Sequence, residues 1–239
     1  MAQTSRTQTP ESTSPRLRGA LLALACLNAI YFFAYFQRVA VPGTIFDELQ
    51  SAFGISAGAV TALAAIYLYI YGGMQPFVGM LTDRIGAFRV VLLGGALLAL
   101  GSLLFPLAQH VPLLYAARAL VGLGSSLIFI CVVKGIDVLF APMLFPIVLA
   151  VSQALGNGGG LTGTYPFARA VEAWGWRGSL LGAGVLSALA VLISAVLFAR
   201  MGYLRRYRSA VTPLVVGRIL RNRYSWPMLV AGPLNFALY

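Results

Sequence analysis

Acid is the scarcest chemistry in this chain: six Asp and Glu residues stand against seventeen Lys and Arg in 239 residues, with one histidine, one lysine and two cysteines. Each shortage closes a class of function. A membrane-embedded or soluble enzyme needs His, Asp, Ser or Glu side chains converging on one site. The lone His110, in a turn beside Pro112 with no ligand type next to it in sequence, builds neither that site nor a metal centre. The one lysine, Lys134, lies in mid-chain, so no last-helix lysine exists for the Schiff base of a seven-helix retinal protein. Cys26 and Cys131 both sit inside apolar runs, where thiols pack as small hydrophobes and no structural disulfide is implied. The arginines collect at the ends of apolar runs instead of interleaving with aromatics on a polar face, so nucleic acid is not an expected partner.

What is abundant is apolar. With 59% hydrophobic and 10% charged residues, the chain has more oil-loving surface than a soluble core of this size hides, and it needs lipid. A spanning helix takes about 20 mostly apolar residues. Runs of that size recur over residues 18–41, 55–77, 88–109, 112–133, 144–171 and 178–202. They are filled with Leu, Ala, Val and Gly and lack the alternation of lipid-facing strands, so the expected fold is an all-α integral membrane bundle. Residues 1–16, rich in Ser, Thr, Gln and Pro, read as a disordered tail, and 17–203 as the six-helix bundle. Residues 204–224 read as a basic linker with Thr212-Pro213 as a helix start, lying at the membrane interface. Residues 225–239 read as the beginning of a seventh spanning helix. Ending inside that run, the chain is expected to be the front part of a longer protein, with a shortened reading frame or an isolated half equally compatible.

Basic residues on alternate sides of the spans set the orientation. One side holds thirteen: Arg6, Arg16, Arg18, Arg84, Arg89, Lys134, Arg200 and six arginines from Arg205 to Arg223. The other holds two, Arg169 and Arg177, together with Asp47, Glu48 and Glu172. The expected location is therefore a bacterial inner (plasma) membrane with the amino terminus cytoplasmic.

Residues 79–89, Gly-Met-Leu-Thr-Asp-Arg-Ile-Gly-Ala-Phe-Arg, form a charged turn bracketed by glycine between two apolar runs. Gly79 suits a close helix approach, Gly86 a tight reversal, and Asp83 offers an acceptor to backbone donors or arginines. The string resembles the loop between the second and third helices of major facilitator superfamily transporters, G-x-L-x-D-R-x-G-x-x-R, at every fixed position. A second string, Arg118 through Ser125, resembles that family's fourth-helix pattern R-x-x-x-G-x-G, and Trp174-Gly175-Trp176-Arg177 resembles its outer turn between helices five and six. The resemblance implies an MFS-type six-helix bundle with a partial seventh helix. It also implies alternating access, with Gly79, Asp83, Arg84, Gly86 and Arg89 forming a conformational latch onto a second six-helix half. That half, or a second copy of the chain, is then an expected partner beside the bilayer and a small-molecule solute.

The remaining polar residues in the spans suggest where the solute sits. Asn28, Tyr31, Tyr35 and Arg38 share one face of the first helix, Arg118, Gly122, Ser125 and Phe129 one face of the fourth, and Gln153, Asn157, Gly160 and Thr164 one face of the fifth. An arginine inside a span costs about 2.5–3.5 kcal/mol at the bilayer centre, so Arg118 is expected to face a wet cavity or a partner. The other reading open for Arg38 and Arg118 is snorkelling to the interface, and for the glycines around Asn157 a small-residue packing seam. Those glycines lack the following Pro of solute-exchanging members, so no antiporter signature is read. Lys134 and Asp137 are expected to form an exposed pair. With Tyr67 and Tyr71 added from the second span, the expected substrate cavity is Asn28, Tyr31, Tyr35, Arg38, Tyr67, Tyr71, Arg118, Ser125, Gln153 and Asn157. Two arginines and no acid deep in a span favour a small organic anion, with no cofactor. The alternative is a non-transporting or homodimerising half-size membrane protein.

Overall fold

The structure, a computed structural model, describes residues 13–204. The expected linker and seventh span lie outside these residues, as does the expected tail up to residue 12. Seven helices follow in order: α1 (Thr13–Ala40), α2 (Phe46–Phe53), α3 (Ala57–Ile85), α4 (Ala87–Leu107), α5 (Val111–Leu139), α6 (Phe145–Thr162) and α7 (Tyr165–Arg200). Local chemistry sets their ends. The Ser56 hydroxyl accepts from the Ala59 N–H at 3.3 Å and starts α3. Prolines occupy the first turns of α5, α6 and α7. A single residue, Gly86 at φ 89°, separates α3 from α4, a backbone angle that a side chain would strain.

Five stretches are long and apolar enough to cross a membrane, and the last runs from Phe145 to Arg200 over 56 residues. That is more than twice the ~20 residues a crossing needs. The helix changes direction at Gly175 (φ 71°, ψ 158°). Beyond it, Gly184, Val191 and Gly95, and the Phe198–Phe88 ring pair, run α7 antiparallel along α4. The expected fifth and sixth spans are therefore both present, divided at Gly175. The second span extends eight residues further than expected, to Ile85, because the turn needs only Gly86. Between α1 and α3 the chain adds a 3-10 turn (Gly43–Ile45) and the amphipathic α2, elements not expected from the sequence.

Helices in lipid gain little from the hydrophobic effect against one another, so close packing must hold them. Helices α4 and α5 meet backbone to backbone. A Cβ at Gly94 would stand 2.8 Å from the Gly124 carbonyl oxygen, and one at Gly101 2.7 Å from that of Ala117. Helix α6 runs parallel to α1 through Gly156, Gly159 and Gly163, which sit against Tyr31, Phe32 and Phe36. The small-residue seam is thus the role these glycines take. Gly79 is different: among the described residues nothing lies within 4 Å of where its Cβ would be, so the close approach expected there is absent. We predict that Gly124→Val costs about 1–3 kcal/mol by overpacking, seen as a lower thermal midpoint in detergent. Gly158→Ala, with open space around it, should be neutral or stabilising by up to ~1 kcal/mol.

Candidate functional site: a tyrosine wall and a buried arginine

Helix α1 brings Tyr31, Tyr35 and Arg38 together. The Tyr31 and Tyr35 rings meet edge to face at 5.0 Å between centroids, and the Arg38 guanidinium carbon lies 5.8 Å from the Tyr35 ring. Tyr31 also stacks on Phe129 of α5 at 5.7 Å, and its hydroxyl donates to the Gln153 Oε1 of α6. Helix α3 adds Tyr67 and Tyr71, stacked at 6.0 Å. It approaches closely because Gly122 of α5 has no side chain: a Cβ there would stand 3.0 Å from the Tyr67 carbonyl oxygen. Tyr31 against Phe129 and Tyr67 against Gly122 set both tyrosine pairs along one face of α5, where positions seven apart align, and together they make one aromatic wall. Tyr31 and Tyr67 are buried, while Tyr35, Tyr71, Arg38 and Gln153 are half-buried.

Arg118 is not on a wet surface. It is 1% exposed, and its guanidinium points at the end of α1 and at α3. Nη1 donates to the Gln37 carbonyl at 2.8 Å, Nη2 to the Val41 carbonyl and Nε to the Leu63 carbonyl at 3.3 Å. The flat face of Tyr67 lies 4.5 Å from the guanidinium carbon. The reason is geometric: α1 ends at Ala40, so the Gln37 carbonyl in its last turn and the Val41 carbonyl just beyond it lack intrahelical partners, and a planar five-donor group reaches both while also meeting Leu63 on α3. Nothing in a single residue's spacing reveals this, because the acceptors are backbone atoms of two other helices.

The rest of the expected set divides. Asn28 and Ser125 are buried at 6% and 3% exposure, and neither Asn28 Oδ1 nor Ser125 Oγ has a hydrogen-bond partner among the described residues. Asn157 is exposed, and the Thr164 hydroxyl turns back to the Leu161 carbonyl at 2.6 Å. Two residues outside the expected set join the end of the bundle that holds Arg118. Thr44 donates to the Gly163 carbonyl at 2.6 Å, tying the 3-10 turn to the break between α6 and α7. Arg177 donates to the carbonyls of Pro106 and Ala108 at 2.6 and 2.9 Å, closing the end of α4 while lying over Trp176.

At the opposite end, Asp83 pairs with Lys134 of α5, whose ammonium also reaches the Gly79 carbonyl at 3.4 Å. Lys134 therefore pairs with Asp83 and not with the expected Asp137, which is exposed. Arg89 donates through Nε to the Leu204 carbonyl at 3.0 Å, joining the start of α4 to the chain just after α7, while Arg84 is exposed. Of the described acids, Asp47 and Glu48 lie in the first turn of α2, Asp83 and Asp137 in the last turns of α3 and α5, and Glu172 three residues before the Gly175 break, paired with Arg169.

A sequence model of the Major Facilitator Superfamily matches residues 27–239. The chain belongs to the Major Facilitator Superfamily. Among its relatives in that superfamily, the chain is 24% identical to the uncharacterized transporter YybO of Bacillus subtilis, over 85% of this chain and 51% of that protein. It is 28% identical to monocarboxylate transporter 7 of Homo sapiens, over 65% of this chain and 30% of the relative. It is 30% identical to the methyl viologen resistance protein SmvA of Salmonella typhimurium, over 57% and 29%. The chain spans about half the length of the first of these, and less of the others. Superfamily membership and the long apolar helices make it an integral membrane protein.

The Arg118 contacts give a stability prediction. Hydrogen bonds to a charged group contribute roughly 1.5–3 kcal/mol each, so Arg118→Ala should lower the thermal midpoint in detergent well beyond Arg84→Ala at its exposed position. Arg118→Lys should recover only part of the loss, since one ammonium does not span carbonyls on two helices.

Proposed function

We propose that this bundle forms half of the solute path of a secondary active or facilitative transporter that moves a small organic anion by alternating access. A second six-helix bundle, carried by a longer chain or by a second copy, faces it across a site near the bilayer midplane. The observation that carries the reading is the wall itself. A half-buried guanidinium, Arg38, lies 5.8 Å from the Tyr35 ring on the helix that also carries Tyr31, α3 contributes the stacked Tyr67 and Tyr71, and the described acids lie on helix ends and near the Gly175 break. A cation held within a span favours an anionic partner, and aromatic walls with few polar groups are the usual make-up of a small-molecule site. Asn28, Ser125, Gln153 and Asn157 supply further polar groups along the same path. The relative named as a monocarboxylate transporter agrees in sign of charge.

The relative named for methyl viologen, a dication, supports a second reading, a cation or drug exporter. Such a solute needs an acidic counter-charge, and the described part of the wall has none to offer.

Residues 79–89 serve in this reading as the latch between the bundles, at the cytoplasmic side of a bacterial inner membrane. The Asp83–Lys134 pair is partly exposed on both sides, 56% and 36%, so it contributes under about 1 kcal/mol. Asp83 is thus exchangeable: it can leave Lys134 for a helix amino terminus of the opposing bundle as the transporter changes state.

Uptake of radiolabelled organic monoanions into proteoliposomes, with the bundle paired to its opposing half, tests the reading. Arg38→Gln should reduce initial uptake at least about tenfold, the loss of one charge-assisted contact. Anion uptake that Arg38→Gln leaves intact, or accumulation of methyl viologen instead, would overturn it.

A further inference from the structure

Helices α6 and α7 both pack on α1 and touch each other little beyond the residues that join them. A strip of α1 is left uncovered between them. Arg18, Leu22, Ala25 and Ala29 follow at i, i+4, i+7 and i+11 and so share one helix face, with the first three exposed and Ala29 half-buried. Phe36, five turns beyond Arg18 on that face, is buried against Gly163 and meets Phe167 edge to face at 5.1 Å. The strip is thus a crevice, closed at Phe36 and open at Arg18. Two contacts fix the register of α7 beside it: Ile30 and Val191 meet over Gly95, and the Cys26 thiol lies within hydrogen-bond reach of the Ser194 hydroxyl. The two helices are therefore antiparallel. From the contact at Gly95, Arg18 lies roughly 18 Å back along α1 and Arg200 roughly 14 Å forward along α7, at the same end of the bundle and about a turn apart in level. We propose that this crevice is a site for an anionic phospholipid, its phosphate held between Arg18 and Arg200 and one acyl chain laid over Ala25 and Ala29.

Shape, level and sign of charge set this occupant. Below the arginines the exposed surface is apolar: Leu22 and Ala25 on α1, and on α7 Ile193, which is 57% exposed and, seven residues before Arg200, on the same face as that arginine. The methyl side chains of Ala25 and Ala29 leave the floor low enough for a hydrocarbon chain to lie on it. A molecule that is oil along its length and charged at one end fits both parts. Roughly 37 Å of helix separates Arg200 from the Gly175 break, more than the ~30 Å of a hydrocarbon core, so Arg200 reaches headgroup level. A guanidinium meets a phosphate through paired N–H donors. Both arginines are exposed, and neither is paired with an acid among the described residues, where the ion pairs are Asp83–Lys134 and Arg169–Glu172. Arg205, Arg206 and Arg208 follow in the sequence and add charge of the same sign. That sign selects an anionic lipid over phosphatidylcholine, whose own cation would face the two guanidiniums. The crevice lies on a different face of α1 from Asn28, Tyr31, Tyr35 and Arg38, so it is separate from the tyrosine wall.

Electron paramagnetic resonance of spin-labelled phosphatidylglycerol and phosphatidylcholine tests this, with the full 239-residue chain in phosphatidylcholine vesicles. The motionally restricted fraction should show phosphatidylglycerol preferred over phosphatidylcholine by at least about tenfold, as two cations near an anionic headgroup supply. Arg18→Gln and Arg200→Gln should each lower that preference about fivefold, while Arg84→Gln, exposed at the end of α3, leaves it unchanged. Ala25→Phe should reduce the restricted phosphatidylglycerol with both arginines still in place. Equal restriction of the two lipids would overturn the proposal. So would a preference that Arg84→Gln lowers as much as Arg18→Gln does, since that is diffuse surface charge. An Ala25→Phe chain that restricts the lipid as before would overturn the acyl-chain seat. Release of the lipid by inorganic phosphate would make this a soluble-anion site, and its release when an opposing six-helix bundle is supplied would make the crevice a protein interface; either overturns the lipid assignment. The wild-type preference, and its loss as salt is raised, decides the matter even if a variant fails to fold.

Discussion

A guanidinium enclosed by a membrane protein has nowhere to shed its charge, so the chain around it must supply acceptors. The Arg118 side chain is the case in point: its partners are carbonyls at the end of α1 and on α3, and its flat face is closed by Tyr67. Three helices are brought to one point by the requirement that no donor be left bare in hydrocarbon. The wall depends on that point. Tyr67 keeps its orientation because Arg118 lies over it, and Tyr35 and Arg38 keep theirs because the turn of α1 that follows them is held by its own carbonyls. Thr44 extends the same constraint to Gly163, where α6 gives way to α7.

The second organising constraint is the absence of side chains where helices cross. Gly94 and Gly124 let α4 and α5 touch through their backbones, and Gly156 and Gly159 let α6 lie along the aromatic face of α1. Glycine in a helix is unfavourable in water by roughly 1 kcal/mol relative to alanine. In lipid the gain in close contact offsets this, and it also decides which side chains reach the wall. Because Gly122 leaves room, the Tyr67 turn of α3 packs directly against α5, carrying Tyr71 with it one turn along the same face of α3.

Much of this was legible in the letters, and what was not has a physical cause. Apolar run lengths marked the chain as a helical membrane bundle, and the fixed positions of residues 79–89 and 118–125 pointed to the superfamily that the family comparison shows. The helical period put Tyr31, Tyr35 and Arg38 on one face, as they stand. The acceptors of Arg118 were hidden because they are main-chain oxygens, which carry no residue identity. Lys134 was read beside Asp137 because they are three apart in sequence, but α5 runs parallel to α3, from Tyr115 beside Ala59 to Lys134 beside Asp83, so the last turns of the two helices meet. Gly79 looked like a contact because its neighbours in the motif are contacts, and its surroundings are open. Helix α2 was missed because eight residues with two acids fall below the length at which a span declares itself.

The turn at Gly86 is one residue long, and that brevity has a mechanical result. With no slack between them, α3 and α4 form a bent lever whose pivot is a single pair of backbone torsions. The Arg89 grip on the Leu204 carbonyl fastens the short arm of that lever to the strand of chain leaving α7. Asp83 and Arg89 therefore sit three residues either side of one pivot, so the ion pair to Lys134 on α5 and the grip on the Leu204 carbonyl after α7 are joined through a single hinge.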